Sequence, residues 1–508
     1  MSESDEPENP PTKKRSVSKD ASVLVVGNVL ATIADILAPL LIFRLTGKDE
    51  VASLSALLLT YNTLALLLLA GFHQSITYFL PGRSLAERAA VARKVVRLLM
   101  VLGAVCGGLL FVVGKFGTSV IEAVGTFEGD ATDLSPLMFL VLFPVGDLPA
   151  RILPNLAVVE GRPKVAAGYG VFRSLCISVA TVLPLALGFE PSAVAMCLSV
   201  VAFAQLGFVN VVLGRCYAAA ERIASPVSTK EMVKFGVPLG ATDMVASLNN
   251  RFDQLLILTN FPDAIFAAYR AGSYQIPVIT RVPYLVTTAL APSMVEAFRE
   301  GRARDALNDW RHAIGKVSLI VVPSTLVFFV GAEPMVRIVA TDAYLEAVPV
   351  FRWYTLLSMM RVAAFGTVIV AAGHPKYVLH AAVVSFGFNV LLSVPLMLGL
   401  GFIGPAMGTT LAFIPIVAFY ISKIAKATGI PYRDIFPLGR YLRVVAVASV
   451  GAAIAWIVAD AVDVPAIVEL LLIAVIVLGC FAGLATATKT MVAEDWAFIT
   501  AKLRRRKA

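Results

Sequence analysis

Apolar runs of about 20 residues recur from Ala21 to near Lys489, divided by short polar stretches, and each is long enough to cross roughly 30 Å of hydrocarbon. The runs predict fourteen helices, at residues 22–44, 51–80, 95–114, 136–159, 164–188, 191–214, 235–259, 264–298, 314–332, 347–372, 376–399, 402–422, 440–460 and 465–487. Fourteen crossings leave both termini on one side. The second and eighth runs are overlong, and Gly71 in one and Pro277 and Pro283 in the other are expected to bend or break them. The expected fold class is an all-α polytopic membrane protein.

The pattern repeats. Gly161-Arg162-Pro163-Lys164 answers Gly373-His374-Pro375-Lys376 at an offset of 212 residues, and Leu183-Pro184 through Gly188 answers Val394-Pro395 through Gly399 at 211. Leu45-Thr46 answers Leu258-Thr259 at 213, and Pro81 answers Pro292 at 211, each expected to close a long apolar segment. One six-helix unit has been used twice. Because six is even, the halves enter the membrane from the same side and form parallel lobes, with a substrate site expected near the midplane between them. The expected divisions are a disordered tail at 1–20, an N-lobe at 21–225, a C-lobe at 226–432, and two extra helices with a basic tail at 433–508.

Composition agrees with a bilayer protein. Of 508 residues, 58% are hydrophobic and 15% charged, against about 25% charged in soluble domains. The mean hydropathy is +0.81. No apolar h-region with a cleavage site follows the tail, so the first run reads as a retained helix. Cys106, Cys176, Cys197, Cys216 and Cys480 lie in or beside apolar segments without metal-type spacing, so neither a metal nor a disulfide framework is expected.

The net charge of +9 is a topology signal before it is anything else. Thirty-two lysines and arginines fall in loops on the N-terminal side, against Arg44, Lys48, Lys115 and Arg337 opposite. That bias puts both termini in the cytoplasm of an inner or plasma membrane. The opposite side carries acids, Glu122, Glu128, Asp130 and Asp133. Arg504-Arg505-Arg506-Lys507 belongs to the same bias rather than to a nucleic-acid surface.

Seven arginines remain inside predicted helices: Arg151, Arg173, Arg251, Arg270, Arg281, Arg352 and Arg361. Each costs about 2.5–3.5 kcal/mol at a helix centre unless it meets a partner, water or an anion. The acids at similar depth are Asp35, Asp147, Asp243 and Asp253, which leaves a positive excess. Arg151 lies four residues after Asp147 and is expected to pair with it. Arg270 and Arg281, eleven residues apart, are expected on one helix face with Tyr274 between them. Arg173, Arg281 and Arg361 lie too deep to snorkel, whereas Arg270 and Arg352 lie nearer the outer ends. Arg251 and Asp253 point about 200° apart, so one at least must look inward. The anion-binding set is therefore Arg173, Arg251, Arg270, Arg281 and Arg361. Asp35 and Asp253 are the candidates for a coupling ion. His73, near the inner end of the second helix, is a lone histidine of weak significance.

Several stretches together resemble a family, the polysaccharide and oligosaccharide flippases of the multidrug/oligosaccharidyl-lipid/polysaccharide exporter superfamily. They are Ser75-Ile76-Thr77-Tyr78-Phe79-Leu80-Pro81, Phe235-Gly236-Val237-Pro238-Leu239-Gly240, Asn249-Asn250-Arg251-Phe252-Asp253, Tyr344-Leu345-Glu346-Ala347-Val348-Pro349-Val350, the Gly-x-Pro-Lys turn, and Gly401-Phe402-Ile403-Gly404-Pro405-Ala406-Met407-Gly408. Pro405 departs from the small residues, such as Ala, usual there. The resemblance implies two six-helix lobes that move a lipid-linked glycan, usually on an isoprenoid diphosphate, across the membrane by alternating access. No catalytic residue and no cofactor is implied. Coupling to H+, Na+ or the membrane potential is, and the expected partners are the lipid-linked glycan, membrane lipids, and a glycan polymerase or glycosyltransferases. A monomer is expected. Two rivals stay open: a cation-coupled multidrug exporter of the same superfamily, and a membrane glycan polymerase or ligase. The second would normally carry a large outer loop with acid/base residues; here the longest outer loop, 115–135, has carboxylates but no histidine.

Overall fold

The computed structural model describes residues 17–69, 71–124 and 132–491. Most of the expected tail, the acids Glu128 and Asp130 and the terminal Arg504–Lys507 run lie outside the described residues. All regular structure among those described is helical. Nine helical stretches there are long and apolar enough to cross a membrane. Every one of the fourteen predicted segments falls on helix.

The first lobe is built from α1 (Val17–Leu45), α2 (Lys48–Leu69), α3 (Ser75–Phe79), α4 (Leu85–Val124), α5 (Phe143–Ala150), α6 (Leu153–Val159), α7 (Pro163–Ala186) and α8 (Pro191–Cys216). The second comprises α9 (Thr229–Asn249), α10 (Phe252–Asn260), α11 (Asp263–Gly272), α12 (Pro277–Arg299), α13 (Ala303–Val330), α14 (Ala332–Val339), α15 (Val348–Met360), α16 (Phe365–Ala371), α17 (Lys376–Leu400) and α18 (Gly404–Thr428). A short α19 (Tyr432–Ile435) leads into α20 (Leu438–Ala461) and α21 (Ala466–Ala487). No Pro or Gly separates Val17 from the first apolar run, and α1 begins there rather than after a tail ending at residue 20.

The two lobes share their packing. α1 packs on α7 as α9 packs on α17, α5 touches α4 and α8 as α15 touches α13 and α18, and α7 meets α8 as α17 meets α18. The agreement reaches single hydrogen bonds. At Gly161 (φ 67°) the chain leaves α6 through Gly161 N–H to Val158 O at 3.0 Å and Arg162 N–H to Ala157 O at 2.7 Å. At Gly373 (φ 84°) it leaves α16 through Gly373 N–H to Val370 O and His374 N–H to Ile369 O, both at 3.0 Å. The carbonyls orphaned at each helix end are thereby satisfied, and a left-handed glycine is what the turn requires.

Two expected correspondences are corrected. Pro81 does close the second segment, but Pro292 lies inside α12, which continues to Arg299. Gly188 (φ 80°) turns the chain after α7, whereas α17 runs through Gly399 and the chain turns at Gly401 (φ 66°). Pro405 stands in the first turn of α18, where its missing N–H would have had no helical partner.

One apolar core fills the N-lobe and continues into α10, α11 and α15 through Ile257, Phe266 and Tyr354. A second surrounds Trp310 in the C-lobe. A third joins α13 to α20 and α21 through Val322, Val444 and Val477. Leu398, Ile457 and Val475 are more than two-thirds exposed (78%, 71% and 70%), as lipid-facing side chains are when only protein is present.

Five of the predicted segments are interrupted. The second breaks at Gly71 (φ 73°) and passes through a 3-10 turn, Phe72–Gln74, into α3. The eighth breaks at 273–276, just before Pro277. The fourth, seventh and tenth also break, at Arg151-Ile152, Asn250-Arg251 and 361–364.

Candidate functional site

Three of the seven intrahelical arginines stand at those breaks. Arg151 caps the C-terminus of α5, Arg361 that of α15, and Arg251 follows the C-cap of α9. A helix C-terminus exposes carbonyls and carries partial negative charge, so a break supplies a guanidinium with compensation that an unbroken helix does not.

The expected Arg151–Asp147 pair is present, with Arg151 Nε 2.9 Å from Asp147 Oδ2. The fully buried Asp147 also accepts from Arg173 on α7, with Nη2 2.7 Å from Oδ1. Tyr61 on α2 donates to the same carboxylate and accepts from Arg151 Nη2 at 3.3 Å. Two cations thus share one anion, and the cluster keeps one net positive charge.

That charge faces a cavity between the lobes, of about 320 Å³, lined by Leu66, Leu69, Gly71, His73 and Arg151 from one lobe and Gly240, Asp243, Ala246 and Ser247 from the other. Arg251 stands within electrostatic reach of Arg151, and Arg270 of Arg251. Arg270 Nη1 donates to Gln254 Oε1 at 3.0 Å. The guanidinium groups of Arg251 and Arg361 have no hydrogen bond or ion pair among the described residues; that of Arg361 lies over the Phe413 ring at 5.7 Å and within electrostatic reach of Asp253. Arg281 is exposed and bonds Thr32 across the lobes at 2.6 Å.

The single convergent set expected from sequence is therefore divided. Arg173 is tied to Asp147, Arg281 lies apart with Thr32, and the break at 273–276 removes the continuous helix on which Arg270 and Arg281 were to share a face. Arg151, which its spacing marked as structural, is the arginine in the cavity wall. Spacing revealed its partner; it carried no sign that Arg173 shares that partner. Arg352 is held away from the cavity, 4.6 Å over the Trp456 ring with Nε bonded to Phe329 O.

The two coupling candidates differ. Asp35 is exposed and accepts from Ser174. Asp253 is 1% exposed and sits in a network of oxygens. Gln254 N–H donates to it at 2.9 Å, Thr409 Oγ1 lies at 3.3 Å, and Tyr269 on α11 is within electrostatic reach. Asn389 Oδ1 accepts from Thr409 at 3.1 Å and Ser393 at 2.6 Å, while its Nδ2 donates to Asn249. Among the described residues no cluster of three His, Cys, Asp or Glu side chains could hold a metal ion.

The lobes are joined at both ends of this region. At the end where α1 finishes, Lys48 pairs with Glu346, Arg44 Nε donates to Ile338 O at 3.0 Å, and Phe43 meets Tyr344 edge-on at 5.6 Å. At the other, Tyr78 stacks on Phe235 at 4.2 Å and Gly71 abuts Gly236 and Gly240 so closely that a Cβ would lie 2.4 Å from Gly236 O.

Comparison with solved structures decides the fold. A lipid II flippase, MurJ, in an inward closed conformation superposes with a TM-score of 0.66 at 13% identity, over 92% of this chain and all of that one. The fold is that of the multidrug/oligosaccharidyl-lipid/polysaccharide exporter superfamily. Two further members match over 81% of this chain: an inward-facing multidrug resistance transporter of the MATE family (TM-score 0.56, 15% identity, 99% of that chain) and a superfamily transporter from Pyrococcus furiosus (0.51, 13%, 96%). Two family profiles match parts of the chain, one described as a polysaccharide biosynthesis protein over residues 168–349 and one as the lipid II flippase MurJ over 282–476. The flippase-type superfamily member expected from the motifs agrees with both. No curated protein matches the chain by sequence.

Proposed function

We propose that the chain is a non-enzymatic flippase that carries a lipid-linked glycan, by its phosphorylated headgroup, across the inner membrane. The observation that carries this reading is the interlobe cavity, with Arg151 in its wall and Arg251 within electrostatic reach of Arg151, while Arg361 stands without an ion pair at a further helix break. Unpaired guanidinium groups in a low-dielectric site call for an anion, and a diphosphate satisfies them through paired, charge-assisted hydrogen bonds. The profile and structural matches to a lipid II flippase point to the same cargo class.

In this reading the lobes at 21–225 and 226–432 rock about the cavity, with both termini cytoplasmic as the charge bias requires. Arg173 and Arg270 hold Arg151 and Arg251 in a positive field, and Arg281 guides the headgroup along the α1–α12 side. Moving about two negative charges outward is favoured by roughly 4.6 kcal/mol per 100 mV, at about 2.3 per charge. Asp253, buried and bonded to Gln254 N–H and Thr409 Oγ1, is the better supported place for a coupling proton or monovalent cation; exposed Asp35 is the weaker. The test is translocation of a polyprenyl-diphosphate saccharide between leaflets of proteoliposomes. Transport that persists in R251A and R361A at the wild-type rate defeats the assignment.

Asp243 in the cavity wall and the MATE-family match favour a second reading, export of cationic drugs. Drug sensitivity of a deletion strain separates the two: hypersensitivity supports export, and unchanged sensitivity with loss of surface glycan supports the flippase.

A further inference from the structure

The mechanism above leaves His73 unused. It belongs to the 3-10 turn that follows the Gly71 break, and it lines the interlobe cavity beside Arg151 and opposite Asp243. Its main-chain carbonyl accepts from Asn155 Nδ2 at 3.2 Å, which fixes the turn against α6. Its ring Nδ1 is enclosed and has no hydrogen-bond partner among the described residues. The protein leaves this buried nitrogen without a partner, in a side chain that lines a polar cavity.

The charge count gives the partner its sign. Arg151 and Arg173 less Asp147 leave one positive charge on the N-lobe wall, and Asp243 sets one negative charge against it. Protonation of His73 adds a positive charge to this wall. The charged groups that bear on the imidazole are Arg151, at the α5–α6 joint, and Asp243, on α9. α3 and α4 also pack on this turn, and neither brings a charge to bear on the ring.

We infer that His73 is a proton-linked ligand of the phosphorylated headgroup: its imidazole takes up a proton as the anion enters the cavity and donates to a phosphate oxygen. This rests on the flippase reading and adds a residue and a pH dependence to it. An anion beside a histidine favours the imidazolium, so binding tightens as pH falls through the histidine range. A rise of about one unit in the proton affinity of His73 on binding corresponds to a roughly tenfold change in affinity between the two pH limits.

The experiment measures binding of geranylgeranyl diphosphate to the detergent-solubilised full chain at pH 8 and pH 6, in wild type and H73Q. Wild type is expected to bind about tenfold tighter at pH 6, and H73Q is expected to lose that gain, since only the ionisation of the ligand remains. Equal pH profiles in the two proteins, with binding intact, overturn the role of His73 and leave the flippase reading standing. No binding by wild type at either pH overturns both. A second measurement needs no change at position 73: in H312Q/H374Q/H380Q, where His73 is the one remaining histidine, imidazole 15N shifts report its protonation directly. Conversion to the imidazolium on adding the ligand supports the inference; a ring that stays neutral refutes it.

Discussion

At the residue scale the decisive contrast is between two arginines at equivalent places in the repeat. Arg151 and Arg361 both cap a helix that breaks, 210 residues apart, but four residues before Arg151 stands Asp147 and four before Arg361 stands Leu357. The first is compensated locally and the second is not. Truncating Arg361 or Arg251 to Ala is therefore expected to slow headgroup translocation about 10- to 100-fold, the equivalent of one charge-assisted interaction of roughly 1.5–3 kcal/mol, with the amount of protein in the membrane unchanged. Asp147 behaves differently. D147N leaves two guanidinium groups facing each other without their anion, and an expected loss of about 3–5 kcal/mol in stability is measurable by thermal unfolding in detergent. A D147N protein as stable as wild type would show that water reaches the cluster.

At the scale of elements, periodicity and hydropathy located the fourteen long segments, all of which fall on helix, and Gly71 announced its own break. Pro277 likewise announced the break at 273–276, and the remaining breaks were less legible. Pro154, in the first turn of α6, marks the break at Arg151-Ile152, whereas Asn250 and Arg361 are not strong helix breakers, and those helices end where tertiary packing and a cation at the C-terminus make an end tolerable. The amphipathic α14 lay hidden in what read as a loop, because eight residues are too few for a hydropathy signal; its Glu333–Arg337 pair at 2.9 Å was there to be read at i,i+4 spacing. The site was legible in kind, as buried positive charge, and illegible in arrangement, since neither the sharing of Asp147 nor the cavity beside Gly71 is a local property of sequence.

The repeated turn makes an element-scale test. G161A and G373A place Ala in the same left-handed conformation, at Gly373 with open space around it, so each is expected to lose about 1–2 kcal/mol, and their unfolding temperatures are expected to fall together. G71A adds a collision with the Gly236 backbone and is expected to lose more. The capping boxes give a pH test. Ser84–Glu87 opens α4 and Ser228–Glu231 opens α9, and their hydrogen bonds hold both carboxyls below the usual glutamate range. A lowered carboxyl contributes stability above its unfolded value and loses it as pH falls through the folded one. First-turn amides of α4 and α9 are thus expected to stay protected through neutral pH and to exchange faster only in acid, which hydrogen exchange across a pH series would record.

For the whole molecule, the contacts that close the two ends of the cavity cannot all persist if cargo passes. A cysteine pair at positions 48 and 346, or one at 78 and 235, introduced into a chain without its five native cysteines, is expected to abolish transport when oxidised and restore it on reduction. Transport through both oxidised proteins would mean that the lobes do not separate there.

The unequal treatment of the twin arginines has a consequence for direction. A scaffold made by doubling one piece begins with two equivalent berths. Here the earlier berth is filled by its own carboxylate, and the later one has no carboxylate four residues before it. A phosphorylated traveller would meet halves that look alike in outline and differ in welcome, and its path through the protein need not be the same read forwards and backwards.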